Sequence, residues 1–353
     1  MISYFLGANS PQGFYSLYDE LIDIDTAAAV YIIKGGPGCG KSTFMRQVAD
    51  AAEAAGQPAE YIRCSGDPDS LDAVILPAQK IALVDGTAPH VVEPKLPGVV
   101  EHYINLGQCY DSKVLSPMRG EIAGAMSGYK ACYDRAYRCL AAAAGINADC
   151  RSMLISKQLE LKIARRVKGV IARELRRESS GSGQATRRFL SAITCQGRIC
   201  EWNTVLDTCK QVYELEDSYG MAHLFLTPIL AAALAAGHDA ILCPSPCDPE
   251  RLEHLLLPGL GLAFVTSSPE LPYPGKAYRR IRLDAMIDSE VLRRCRPRLR
   301  FARKVSAALT DEAIASLSEA KAMHDHLEAL YNPHVDFDRV HTMAGQLIDT
   351  LPF

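Results

Sequence analysis

The sequence predicts an α/β protein with a mostly parallel sheet, duplicated in tandem, each copy ending in a helical segment. Three observations carry that expectation. Short apolar runs of strand length alternate with helical stretches, the pattern of βαβ units. Blocks of residues recur in the same order in both halves of the chain, and a Gly/Ser run, ESSGSGQ at 178–184, separates them with the composition of a flexible linker. At 353 residues, 48% apolar and 22% charged, the chain has ordinary globular composition and length enough for two domains.

The repeat is read block by block. Phe5, Leu6 and Gly13 in FLGANSPQG match Phe189, Leu190 and Gly197 in FLSAITCQG. Gly56 and the run Asp67 to Pro77 match Gly237 and Asp248 to Pro258 at a constant offset of 181. Ile104 to Leu115 then match Ile281 to Leu292. The units follow as 1–178, a linker at 179–184, and 185–353.

Within the first unit, Ala28 to Ile33 is an apolar run short enough for a buried strand, and Lys41 to Ala55 reads as a helix stopped by Gly56. Further β-type runs lie at Glu60 to Cys64, Ile81 to Val84 and Tyr103 to Leu106. From Asp111 to Arg177 the pattern is helical, with Asp111 and Ser112 as the N-cap, and Lys157 to Arg188 reads as a basic surface helix running into the linker. The second unit closes in the same way, with helical periodicity from Ser289 to about Leu330.

Composition excludes several classes. Twelve cysteines without a CxxC pair suit reduced thiols rather than a disulfide scaffold. The start MISYFLGANSPQGF lacks a basic n-region and an apolar h-region, and the apolar stretch Leu224 to Ala236 is broken by Thr227 and Pro228 and falls short of the roughly 20 residues of a membrane span. A cytoplasmic protein without membrane contact is expected. The net charge of −3 argues against a surface that is wholly a nucleic-acid footprint.

Between the first strand and the first helix stands GGPGCGKST: Gly35, Gly36, Pro37, Gly38, Cys39, Gly40, Lys41, Ser42 and Thr43. This satisfies G-x-x-x-x-G-K-[ST]. Glycines let successive N–H groups converge on phosphate oxygens, Lys41 reaches the β- and γ-phosphates, and the Ser42 hydroxyl offers a ligand to Mg²⁺. Such a loop needs an apolar strand ending in an acid, and IALVD supplies Asp85 as the second Mg²⁺ residue. Thr87, His90 and Glu93 follow just past that strand's carboxyl end, where open α/β sheets place ligand chemistry, so His90 or Glu93 could orient an attacking water or an acceptor. The fold expected is therefore the three-layer P-loop NTPase sandwich.

The second unit serves as an internal control. Tyr213 to Phe225 occupies the position of the glycine loop, with Gly220 opposite Gly38 but Ala222 opposite Gly40, His223 opposite Lys41 and Leu224 opposite Ser42. Glu216 and Asp217 stand where phosphate would sit, and Thr266 replaces Asp85. Lysine, hydroxyl and acid disappear together, as they would if all three served one site.

IIKGGPGCGKSTFM, CSGDPDSLD and ALVDGTAPHVVEPKLPG together resemble a family of bacterial tandem P-loop ATP-binding proteins, over essentially the whole chain. The resemblance implies ATP binding, and in the family phosphate-loop residues can stand in both halves, so the eroded second loop is a departure. The function expected is a Mg²⁺-dependent ATPase with one working and one degenerate site. A small-molecule or nucleotide kinase, with the helical stretch after Asp111 as an acceptor lid, is one alternative; a non-catalytic ATP sensor or nucleic-acid-linked switch is another. Cys39, facing converged N–H groups and Lys41, is expected to be an acidified, redox-sensitive thiol.

Residues 276–304 carry eleven basic and three acidic side chains, a local net of +8. They read as a polyanion surface, as a source of an arginine for the first unit's nucleotide, or, most plainly, as a solvated helix face whose Arg stems cover apolar surface. Nucleic acid is thus a partner the sequence permits without favouring, and self-association stays open. His324, His326, His334 and His341 lack metal-site spacing and read as surface histidines, while Cys243 and Cys247 read as core residues.

Overall fold

The computed structural model describes residues 1–88, 91–176 and 181–353. The chain opens with β1 (Ile2–Tyr4) and a hairpin of β2 (Gly7–Ser10) and β3 (Gly13–Ser16). Next come β4 (Ala29–Lys34), α1 (Lys41–Ala54), β5 (Glu60–Arg63), β6 (Leu71–Leu76), β7 (Ile81–Asp85) and β8 (Glu101–Asn105). They form one six-stranded sheet in the order β1-β5-β6-β7-β4-β8. The expectation of a mostly parallel sheet is refined to a mixed one, because β6 runs against both neighbours. The links explain it: residues 64–70 and 77–80 are too short for a parallel crossover, so the chain must turn back on itself.

Helices follow: α2 (Ser112–Leu115), α3 (Arg119–Leu154) and α4 (Lys157–Glu174). The Asp111 carboxylate accepts from the Lys113 N–H, the cap the sequence announces. Then come β9 (Ala185–Arg187), a hairpin of β10 (Ser191–Thr194) and β11 (Gly197–Cys200), α5 (Trp202–Thr208), β12 (Gln211–Glu216), α6 (Ala222–Ala235), β13 (Ala240–Ser245), β14 (Asp248–Leu257), β15 (Leu262–Ser267) and β16 (Arg279–Arg282). The second sheet has the order β9-β13-β14-β15-β12-β16, and its one reversed strand is β14. Strand order and direction therefore agree between the two sheets. The chain ends in α7 (Ser289–Tyr331), capped by the Asp288 carboxylate, and α8 (Phe337–Ile348).

Alternation along the strands decides what each face meets. In β4, Ala29 and Ile33 pack with Phe44, Met45 and Val48 of α1, whereas Val30 and Ile32 point the other way. That inner face joins the second sheet's Val212, Cys243, Ala263 and Val265 in one core. Phe5 and Phe189, matched to one another in the sequence alignment of the two halves, exchange both backbone hydrogen bonds there at 2.9 Å. The three-layer expectation, with helices on both faces of each sheet, is thus corrected: the inner faces are filled by the hairpins, α5 and the opposite sheet.

The outer helices are exchanged. α4 follows the first sheet in the chain but buries Leu159, Ile163, Val167 and Val170 against Phe225, Leu226 and Ile229 of α6. α8 follows the second sheet but buries Val340 and Ala344 against α1. Each of the larger of these side chains contributes about 1.5–3 kcal/mol relative to exposure. The long helices α3 and α7 run antiparallel between these ends, joined by Arg135 to Ser316 (2.7 Å), Asn147 to Ser306 (2.9 Å) and Arg298 to Asp149 (2.8 Å). The basic surface helix expected at 157–188 is half core, and ends at Glu174. Of the linker, Gly183 N–H donates to Leu234 O (2.8 Å) and Gln184 N–H to Asp239 (2.7 Å), so this part is fastened to the second sheet's surroundings. Among the described residues no helix is long and apolar enough to cross a membrane.

Candidate functional site

β4 and β7 are parallel neighbours with Ile33 opposite Asp85, which sets the acid beside the start of the glycine loop. The loop turns through two left-handed residues, Gly38 (φ 68°) and Gly40 (φ 84°), a conformation that costs other residues about 1–2 kcal/mol. Gly40 is also the N-cap of α1 and offers no side-chain acceptor, and the first turn holds no acid, so neither the cap residue nor the first turn supplies an anion to the N-terminal N–H groups. Gly36 lies where a Cβ would come within 2.9 Å of the Tyr110 hydroxyl, which donates to Pro37 O at 3.0 Å.

Lys41 folds back along the loop. Its ammonium donates to Gly35 O (2.8 Å) and Gly36 O (2.9 Å) and lies 3.5 Å from an Asp85 oxygen, both side chains being largely buried. The other Asp85 oxygen accepts from the Thr87 N–H (2.9 Å) and hydroxyl (2.5 Å). Ser42 Oγ accepts from the Leu71 N–H at the start of β6 (3.0 Å), and Thr43 is exposed. The structure therefore gathers Gly35 to Ser42 and Asp85. Glu93 is exposed, with no hydrogen bond or ion pair to Lys41 or Asp85, and His90 lies outside the described residues.

Cys39 departs from expectation. It is 1% exposed and packed beneath Gly35 and Leu106. Burial pushes the thiol up, and Lys41 offsets this only in part. The acidified thiol expected from the sequence is therefore not met.

The end of α7 covers the loop, which no local pattern announces. Glu328 accepts from the Gly38 N–H at 3.2 Å, Asn332 lies against Gly38, and Phe337 and Val340 lie beside Gly40. Glu328 also stands 3.8 Å from His324, and with Asp325 these two place ligand atoms within 4.8 Å of one another, so His324 is less isolated than its spacing suggests. The reading in which 276–304 presents an arginine to the loop is not met. The helix that begins in that segment delivers a carboxylate instead.

In the second half the Asp217 carboxylate, 5% exposed, accepts from Tyr219 N–H (3.1 Å) and from Ala222 N–H at the start of α6 (2.6 Å). An internal anion fills the helix N-terminus. His223 Nδ1 accepts from Leu252 N–H at 3.0 Å as Ser42 Oγ does from Leu71, so the structure pairs His223 with Ser42 and Ala222 with Lys41, one residue off the sequence alignment. The second loop is one residue shorter. Thr266 occupies the β15 position corresponding to Asp85, with its hydroxyl turned to Glu253 O.

Comparison with family models, with curated proteins and with solved structures found no match for the chain.

Proposed function

We propose that the loop 35–43 binds ATP with Mg²⁺ and supports its hydrolysis, and that the second half is a degenerate copy of the same unit. The observation that carries this reading is the placement of Lys41 between the loop carbonyls and Asp85, over a helix N-terminus that lacks an acceptor of its own. The common strand order of the two sheets supports the duplication.

The residues fit a triphosphate. Gly38 N–H already holds a carboxylate oxygen, so this part of the loop accepts an oxyanion. Lys41 exchanges its two carbonyl acceptors for phosphate oxygens and stays within reach of Asp85. The Ser42 hydroxyl, an acceptor toward Leu71, keeps a lone pair and its proton for a metal-bound phosphate. Ser42 and Asp85 would hold Mg²⁺, which supplies charge neutralisation at the phosphates. Catalysis is then positioning and electrostatics, with the amides of Gly38 to Ser42 and Lys41 aimed at charge that develops on the transferring phosphoryl group. The helical stretch after Asp111 is packed along α7 as a rod, which favours water over an acceptor held under a lid.

Calorimetry with ATP and Mg²⁺ tests this. Lys41→Ala abolishes binding, while Asp85→Asn retains part of it and loses turnover in a ³¹P assay. Unchanged affinity in the Lys41 variant overturns the reading.

A further inference from the structure

Charge is strongly segregated in this chain. Residues 157–176 hold seven basic and two acidic side chains, and 276–304 hold eleven and three, so within a net of −3 these stretches carry +13 and the remainder −16. The sequence places them a hundred residues apart. The exchange of outer helices brings them together.

α4 lies alongside β16, the edge strand of the second sheet. Near its start Lys162 donates to Met286 O at 3.0 Å, just after β16. Near its end Arg173 donates to the Tyr213 hydroxyl at 3.0 Å, and the Tyr213 ring meets that of Tyr278, just before β16, at 5.7 Å. The eleven steps from Lys162 to Arg173 rise about 17 Å, which carries the helix from the residues after β16 to those before it. α7 then continues the face: Val291, Leu292, Cys295 and Leu299 pack on the core, which turns Arg293, Arg294, Arg296 and Arg300 outward.

Much of this charge is uncompensated. Arg280, Arg293 and Arg298 have acidic partners, but Arg165, Arg166, Arg279, Arg282, Arg294 and Arg296 are exposed and form no ion pair among the described residues. Like charges gathered at this density repel, and a polyanion relieves the repulsion. Nine of the eleven basic residues in 276–304 are Arg, whose planar fork suits phosphate bidentately. A bilayer is the poorer fit, because the apolar sides of α4 and of the first turns of α7 are used in the core rather than offered for insertion.

We propose that the face built by α4, β16 and the first turns of α7 docks the phosphate backbone of a nucleic-acid duplex. It needs both halves of the chain and is separate from the nucleotide reading of loop 35–43.

The test is fluorescence anisotropy with a labelled duplex of about 20 base pairs, DNA and RNA side by side, in about 50 to 200 mM salt. Binding weakens about 100-fold or more across that range, as release of at least about four counterions requires. The triple variant R282E/R294E/R296E and, separately, R165E/R166E each weaken binding at least tenfold and flatten the salt slope, while K130E/R138E on α3 leaves it unchanged. ATP affinity and the melting midpoint stay at wild-type values in all three. Absence of salt-dependent binding, equal loss in the α3 control, or binding to vesicles of anionic phospholipid without binding to the duplex overturns the proposal.

Discussion

The main-chain N–H of Gly38 donates to a carboxylate oxygen of Glu328, 3.2 Å away and 290 residues further along the chain. In the proposed reading the loop offers N–H groups to a phosphate, and here one of them is already engaged by an internal carboxylate. On that proposal an incoming phosphate displaces it. Glu328→Gln keeps the shape and removes the charge. Because the carboxylate is 37% exposed, a solvent-discounted strength of about 1 kcal/mol is appropriate, so ATP should bind about fivefold more tightly in the variant by calorimetry. Weaker binding would mean that Glu328 positions the nucleotide instead of competing with it.

The exchanged helices make stability cross the chain's midpoint. Leu159 belongs to the first half in sequence and is 2% exposed in the core of the second sheet's outer face. Leu159→Ala removes buried methyl groups where the fit is tight and should cost about 2–5 kcal/mol. Urea unfolding followed through Trp202, the single tryptophan and a residue of the second half, checks it. An unmoved midpoint would show that α4 contributes nothing to that unit.

Below neutral pH one buried acid should dominate. Burial alone would raise the Glu253 carboxyl, but Arg198, with His254 and Ser191, outweighs it and holds the group at about 2. A carboxyl depressed in the folded state stabilises the fold above its unfolded value of roughly 4.3 and loses that contribution as pH falls toward 2. The melting midpoint should therefore drop over that window, and Glu253→Gln should flatten the drop while lowering stability at pH 7, where Arg198 loses its partner charge. An equally steep acid loss in Glu253→Gln would assign the transition to other carboxyls.

The glycine loop, its helix and Asp85 were legible because their relationship is local: a strand, six residues of loop and a helix, with an acid at the end of the neighbouring strand. The acid ahead of α6 was legible for the same reason, and Asp217 accepts from the Ala222 N–H at the start of that helix. β6 and β14 are not evident as strands in the sequence, because Asp-Pro at 67–68 and 248–249 signals a turn beside their apolar runs. Glu328 left no trace, because a lone acid in a long helix carries no sign of where the helix ends in space. The environment of Cys39 is not legible, because it depends on which way the side chain turns beneath the loop.

The sequence by itself determined the α/β class, the glycine-rich turn between a strand and a helix, and helical stretches that close each half. Only the tertiary structure decided which sheet each stretch covers. An apolar stripe requires burial but does not name its partner, and two sheets of the same strand order offer equivalent outer faces. The long antiparallel pair α3 and α7 settles that choice by carrying each closing helix across to the other half. That crossing sets Glu328 against Gly38 and brings two distant basic stretches into one face.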